Sequence, residues 1–492
     1  MQRATTKPRP SRLRLHKTTH LNRHKTTKGK SVLTKPARGF STEDTERINL
    51  AQSYPAAVVS SLPNGTRVAT EHHPGALTSV LVAIAAGSRY ESSENNGVAH
   101  FLEHTLFKGT PTRTRIQLEM EVENMGGSFN AFTTREQTIF SVTTHKRFLA
   151  NAVDLLADVV QNSKISPQSI ESERGVIIEE MDSIKQDPQE TCYDNLHHAA
   201  FQGTSLAYEI IGPIENVRNI SKSDIGTYID THYVGPRMVI AGIGDIDHSQ
   251  FQTLVQTKFN KIPAKSPNGL VANPGVAKWT SAMTLIDDSS RVPRPETTIA
   301  LGFPTAGFNH QDHYSLMTLQ MYLHNLGHYD AEFISEAVGG AQVFGGNAPN
   351  LSIAHSIEPF NILYSDAGIF GLYCQVDPEN VSTFSKDLVR GFTAFVSHLD
   401  EHSLGQAKAQ LKVSLLSQYE GVDSIGQELC RQLLSHNRRL HPAEIIARID
   451  NVTMDSVRRV ADTWLRKDTF SVSVLGQHPN MPDLAELKTQ IV

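Results

Sequence analysis

The sequence predicts an α+β protein of two related α/β halves, a duplicated domain in which each half is a mostly antiparallel sheet packed with helices. Three observations carry this: β-branched apolar runs that stop at glycine, long helical stretches between them, and a helix-turn-strand unit that occurs twice. Residues 78–89, TSVLVAIAAGSR, read as a buried strand. Asn95-Asn96-Gly97 breaks that run, and asparagine can cap a helix over VAHFLEHTLF. After Gly126-Gly127 the Thr-rich, partly alternating SFNAFTTREQTIFSVTT reads as one long strand. Residues 147–232 read as mainly helical, 238–246 return to strand, and Pro and Gly punctuate 262–294. Sliding the chain by 232 residues lays 220–246 over 452–478 without a gap: Asp230 and Thr231 meet Asp462 and Thr463, and Gly244 meets Gly476. Segments 296–307, 361–378 and 379–436 then repeat the order strand, strand, long helices. The expected division is a leader over 1–40, a first half over 41–262, a linker over 263–294 and a second, related half over 295–492.

Composition narrows the class. The 492 residues are 39% hydrophobic, and no stretch approaches the roughly 18 to 20 apolar residues that span a bilayer. Three scattered cysteines, Cys192, Cys374 and Cys430, suggest neither a disulfide framework nor a paired-cysteine metal site. The net charge of −5 conceals an asymmetry. Twelve of the 46 Lys and Arg lie within residues 1–40, which hold no acid, leaving 34 basic against 51 acidic residues beyond. Such a leader has the make-up of a mitochondrial transit peptide, drawn by a potential that is negative inside. The other use of a basic arm, holding nucleic acid, is disfavoured because acid appears at once at Glu43 and because Arg38-Gly39-Phe40-Ser41 resembles a matrix cleavage pattern. Cleavage after Phe40 and a mitochondrial matrix location are expected, and no nucleic-acid partner.

The chemistry concentrates in His100-Phe101-Leu102-Glu103-His104. Histidines four apart on a helix project from one face and can grip one ion, and Glu103 stands on the same rim, placed to take a proton from water without being a ligand. A third ligand is needed, and carboxylate commonly follows two histidines. In ESERGVIIEEMDSI, Glu173 and Glu180 are seven apart and nearly in phase, while Glu171 and Glu179 read as solvated; period alone leaves either in-phase acid open. Past Asp187-Pro188 a new helix carries Glu190 and Asp194 on one face. In the second half, His324 and His328 are also four apart, but Gly327 stands where the base would be, and no functional metal is expected there.

HFLEHTLFKGT, preceded by NNGVA and followed by NMGGSFNAFTTREQTIF, resembles the inverted-zincin peptidases of the pitrilysin and insulin-degrading class. ERGVIIEE matches that class's ER-x-V-I-x-x-E, whose last glutamate is the third zinc ligand. The resemblance therefore implies zinc (Zn2+) on His100, His104 and Glu180, Glu103 as the base, and Glu173 orienting a histidine. Within the class the chain is similar to the beta subunits of mitochondrial processing peptidases. That similarity implies a zinc metalloendopeptidase that removes transit peptides, works with a noncatalytic alpha-like subunit, and takes basic presequence peptides as substrates. It also implies that Glu190 and Asp194 receive a substrate arginine and that an extended peptide adds to the strand through Asn130 and Ala131. The second half is then noncatalytic. The competing reading within the same fold is a core subunit of the cytochrome bc1 complex. The stretch GGAQVFGGNAPN, with Gly339, Gly340, Gly345 and Gly346, departs from the beta-subunit wording.

Overall fold

The computed structural model describes residues 42–288, 292, 294–326, 350–395, 399–465 and 468–491. The leader 1–40 with its expected cleavage point, His328, and the glycines at 339–346 lie outside these residues. From Glu46 onward the chain forms one compact unit.

Two sheets organise that unit. The first contains β1 (Val58–Ser61), β2 (Arg67–His72), β3 (Leu77–Ile84), β4 (Ser128–Thr133), β5 (Thr138–His145) and β6 (Met238–Gly244), in the order β1-β2-β6-β3-β5-β4. The second contains β7 (Met283–Ile286), β8 (Thr297–Thr305), β9 (Ala354–Leu363), β10 (Gly368–Val376) and β11 (Ser471–Leu475), in the order β7-β11-β8-β10-β9. Apart from β1 the two orders are the same, and so are the pairing senses: the β2–β6 and β7–β11 pairs are parallel, and all others antiparallel. The register repeats as well. Ile240 of β6 faces Val68 and Val82, and its counterpart 232 residues on, Val472 of β11, faces Met283 and Leu301. Gly244 and Gly476 end these strands at φ +139° and +110°, where a side chain would be strained, so the glycine match in the sequence repeat reports a shared backbone turn. Strand β7 falls inside the 263–294 segment.

Six helices matter most for the first half: α1 (Thr42–Ser53), α2 (Val98–Leu106), α3 (Arg115–Asn124), α4 (Leu149–Asn162), α5 (Pro167–Ile184) and α6 (Pro188–Ala200). The halves exchange helices. Helix α6 buries Cys192, Leu196 and Ala200 against Ala300, Ile369 and Tyr373 of the second sheet. Helix Val422–His436 of the second half buries Ile425, Leu429 and Leu433 against Leu81, Ala83 and Val239 of the first. The approach is close enough that a Cβ at Gly426 would lie 2.1 Å from the buried Leu81 side chain, which would have to move for any larger residue. A buried ion pair, Arg439 to both oxygens of Glu71 at 2.8 and 3.0 Å, adds a polar tie between the halves.

Two sequence expectations are corrected. The stretch after Gly127 is a hairpin, β4 and β5, and not one long strand. The Thr134 hydroxyl accepts from the N–H groups of Glu136 and Gln137 while the Thr134 N–H donates to the Gln137 carbonyl, so a local turn replaces ladder bonds. Helix α2 is not capped by asparagine. Its cap residue is Gly97 at φ +100°, and the orphan N–H groups go to the Glu91 carboxylate, which accepts from Gly97 at 2.8 Å and from Ala99 at 2.7 Å.

Candidate active site

Helix α2 forms because Val98, Ala99, Phe101, Leu102, Thr105 and Leu106 make a fully buried stripe. Burying each larger apolar side chain contributes about 1.5–3 kcal/mol, which fixes the rotation of the helix and turns His100, Glu103 and His104 to the other side. Beneath it runs α5, started by Ser166, whose hydroxyl accepts from the Ser169 N–H, and by Pro167 in its first turn. The buried positions of α5 are Ile170, Glu173, Ile177 and Met181. A glutamate in that apolar line needs partners, and it has two: Lys108 Nζ at 2.6 Å and His104 Nδ1 at 3.3 Å.

Two turns further along α5, Glu180 Oε2 lies 3.2 Å from His104 Nε2 and 3.8 Å from His100 Nε2. The ligand atoms of His100, His104 and Glu180 all lie within 4.8 Å of one another, and among the described residues no other three His, Cys, Asp or Glu side chains converge in this way. His104 presents Nδ1 to the Glu173 carboxylate and Nε2 to the convergence point, so with its one hydrogen on Nδ1 it offers the Nε2 lone pair to an ion. Burial, with His104 beside it, pushes His100 down to about 4, so its imidazole is neutral. The hydrogen bond from His104 holds the Glu180 carboxyl below its usual range. For His104 itself burial acts downward but is outweighed by Glu180 and Glu173, which raise it. Neutral imidazole and ionised carboxylate are the states in which these groups hold a dication.

Glu103 lies outside the triad. The Thr133 hydroxyl, at the end of β4, donates to its Oε2 at 2.6 Å, and burial raises its carboxyl above the ordinary range. Strand β4 is the free edge of the first sheet, paired only through Asn130↔Ser141, Ala131↔Phe140 and their neighbours on β5. Asn130 is exposed and Ala131 half-buried. Helix α6 starts at Asp187, whose carboxylate accepts from the N–H groups of Gln189 and Glu190. Glu190 is exposed on it, and Asp194 follows one turn later.

Comparison with known proteins agrees with this architecture. The insulinase family model (peptidase family M16) matches residues 67–214, and the model of the M16 inactive domain matches 219–411. A mitochondrial-processing peptidase subunit beta from Blastocladiella emersonii is 36% identical over 451 residues, covering 89% of this chain and 94% of that protein. The human protein of that name is 33% identical, covering 89% and 88%. The chain belongs to peptidase family M16.

Two solved structures share the M16 fold with it: a chain of complex III from Candida albicans (TM-score 0.74, 21% identity, 88% of this chain and 99% of that one) and a protease from Helicobacter pylori (0.75, 18%, 86% and 99%). Within this M16 chain, the structure adds residues that sequence reasoning missed. Lys108 stands four residues after His104 but just past the end of α2, so only its nearness to the motif was legible. Thr133 and Glu91 were not, because a strand end and a loop meet α2 only through the fold. Glu91 is buried, and burial lifts its carboxyl to about 7 despite the N–H groups it receives. Arg135 was also missed: its Nη2 donates to Asp194 Oδ1 at 2.7 Å, so one member of the expected arginine-binding pair already has a guanidinium. A cavity of about 580 Å³ between the halves is lined by Arg135, Glu136, Tyr364, Glu428 and Arg431 among others, and by none of His100, Glu103, His104 and Glu180.

Proposed function

We propose that this chain is the catalytic beta subunit of a heterodimeric zinc metalloendopeptidase that removes transit peptides from proteins imported into the mitochondrial matrix. The observation that carries the reading is the convergence of His100, His104 and Glu180 within 4.8 Å beside the free edge of β4. The names of its relatives, mitochondrial-processing peptidase subunit beta, support the processing role, the mitochondrial setting and work alongside another subunit. In this reading His100, His104 and Glu180 hold zinc, and Glu173, buttressed by Lys108, keeps the His104 ring in place. Zinc bound there supplies the Lewis acidity that acidifies water and polarises a peptide carbonyl. Glu103, with Oε2 fixed by Thr133, takes the proton of the attacking water and passes it to the leaving amide nitrogen; burial, which raises its carboxyl, makes it the stronger proton acceptor. An extended substrate adds to β4 through backbone hydrogen bonds at Asn130 and Ala131, so its side chains matter little except where Glu190 and Asp194 select a basic residue.

The test is cleavage of a presequence-bearing precursor by the purified chain with and without its co-purifying partner. A single cut that requires the partner is the expected result; trimming at many positions would refute a processing role. The complex III neighbour favours a second reading, a core subunit of the bc1 complex, which co-purification with cytochromes in membrane extracts would support.

A further inference from the structure

The β4–β5 turn, Thr134-Arg135-Glu136-Gln137, is locked from both halves. Arg89 donates its N–H to the Arg135 carbonyl at 2.8 Å and its Nη1 to Glu136 at 2.7 Å, and Glu136 also accepts from the Ser365 N–H and, at 2.6 Å, from the Ser365 hydroxyl. Arg89 is 1% exposed, so this is an interior joint and not a surface contact. With the turn fixed, the Arg135 side chain has one course, toward α6, where it is 8% exposed and bonds Asp194.

Tyr364, in the turn between β9 and β10, lines the same cavity as Arg135 and lies 2.7 Å from His197 Nε2. The direction of this chain of bonds follows from its far end. His197 Nδ1 is 2.7 Å from the Tyr193 carbonyl, which can only accept, so Nδ1 carries the hydrogen and Nε2 is bare. Tyr364 therefore donates to His197. His197 is fully buried with its pKa far down from desolvation, consistent with the neutral ring this requires. Arg135 cannot leave Asp194 without stranding a nearly buried guanidinium.

The acidic pair is thus asymmetric. Asp194 is 26% exposed and one of its oxygens is taken. Glu190 is exposed and carries no ion pair; desolvation, then the negative charges of Asp187, Asp194 and Glu180, raise its carboxyl, as expected of an anion lacking a cation. A guanidinium arriving between them gains from Glu190 in full but meets Arg135 across a single carboxylate at Asp194, and like charges there repel.

We propose that Arg135 is a built-in occupant of Asp194 that sets how strongly the site selects arginine, leaving Glu190 as the principal carboxylate for a substrate guanidinium. The inference rests on the reading of Glu190 and Asp194 as a basic-residue subsite. Arg135 acts through Asp194 and is a positioning residue. The experiment uses the full chain with its partner and two presequence peptides, one with arginine at the selected position and one with citrulline, its neutral isostere. The readout is the ratio of their kcat/KM values. Arg135→Gln raises the ratio about tenfold through a lower KM for the arginine peptide, and Arg135→Lys, which keeps the charge, holds it within about twofold. With Arg135 intact, Glu190→Gln lowers the ratio about tenfold and Asp194→Asn less than about threefold, a contrast that decides the matter even if Arg135→Gln fails to fold. An unchanged or smaller ratio in Arg135→Gln, or equal losses at Glu190 and Asp194, overturns the proposal. A wild-type enzyme that cuts both peptides equally would instead refute the subsite itself, and this inference with it.

Discussion

The first and second halves have one topology and two chemistries. After β3 comes α2, with two histidines and a glutamate turned away from its core stripe; after β8 comes helix His313–Leu326, whose described sequence HYSLMTLQMYLHNL has no acid at all. Below α2 lies α5, with Glu173 and Glu180 facing it. In the second half, the helix Glu401–Ser417 carries its one acid, Glu401, in the first turn, where it serves the positive end of the helix. The strand order, the register and the terminal glycines are held in both halves by packing, which any apolar residue of fitting size satisfies. The candidate metal site depends on three side chains, His100, His104 and Glu180, with Glu103 beside them, and the described residues bring such a set together only in the first half. Fold and function separate cleanly here because the same scaffold appears once with them and once without.

The largest expected effect tests whether the chemistry lies wholly in the first half. Glu103→Gln keeps shape but cannot take a proton, so turnover falls by about a hundred- to ten-thousandfold while metal content, read by elemental analysis, stays at one zinc per chain. Glu180→Gln loses metal and activity together, since a neutral amide is a poor ligand for a dication. Retention of near-normal turnover in Glu103→Gln would break the mechanism and leave the metal site standing.

A second comparison isolates packing. Leu102 on α2 and Leu319 on its counterpart are both fully buried, and truncating either to alanine costs about 2–5 kcal/mol in denaturant unfolding. Equal costs with unequal effects on turnover would show that stability is shared while chemistry is not. Because α6 and Val422–His436 are exchanged between the sheets, both variants should lower the same unfolding transition; two separate transitions would mean that the halves melt independently.

Acid should weaken both halves, the first more. Burial pushes His232 down to about 3, with Arg237 adding to it, and His313 down to about 4, with Arg431 and His436 adding. Below about pH 6.5 the unfolded chain protonates these rings while the folded chain does not, so stability present above that pH is lost on acidification, at up to about 1.4 kcal/mol per pH unit for each ring. The loss continues to about pH 4 for His313 and about pH 3 for His232. Melting temperature measured from pH 7 to 4.5 should fall less steeply in His232→Phe than in wild type, and a slope unaltered by that change would reassign the acid sensitivity elsewhere.

How much of this was legible in the sequence depends on range. The duplication, the helix with His100 and His104, and the in-phase glutamates were readable because a period or a fixed spacing encodes them locally. Period alone could not choose between Glu173 and Glu180: both face α2, and what separates them is depth, Glu173 within the buried stripe and Glu180 at its edge. The hairpin at Thr134 was hidden because one hydroxyl made the turn without glycine or proline. The pairing of Arg135 with Asp194 joins residues 59 apart through a turn held by the opposite half, which no local pattern reports.

The smallest expected effect is the sharpest test of the comparison. His324 closes the last turn of the helix that corresponds to α2 and was set aside in the sequence because Gly327 replaces the base. Among the described residues no two further His, Cys, Asp or Glu side chains join it in a cluster of three that could hold an ion. His324→Ala should therefore leave zinc stoichiometry at one and precursor cleavage within about twofold of wild type, with at most the small change in stability usual for a substitution away from the core. His100→Ala, the matched change in the first half, should empty the metal site. Zinc falling below one per chain in His324→Ala would mean that the second half takes part in metal binding, and the division of a shared fold into one chemical and one structural half would have to be given up.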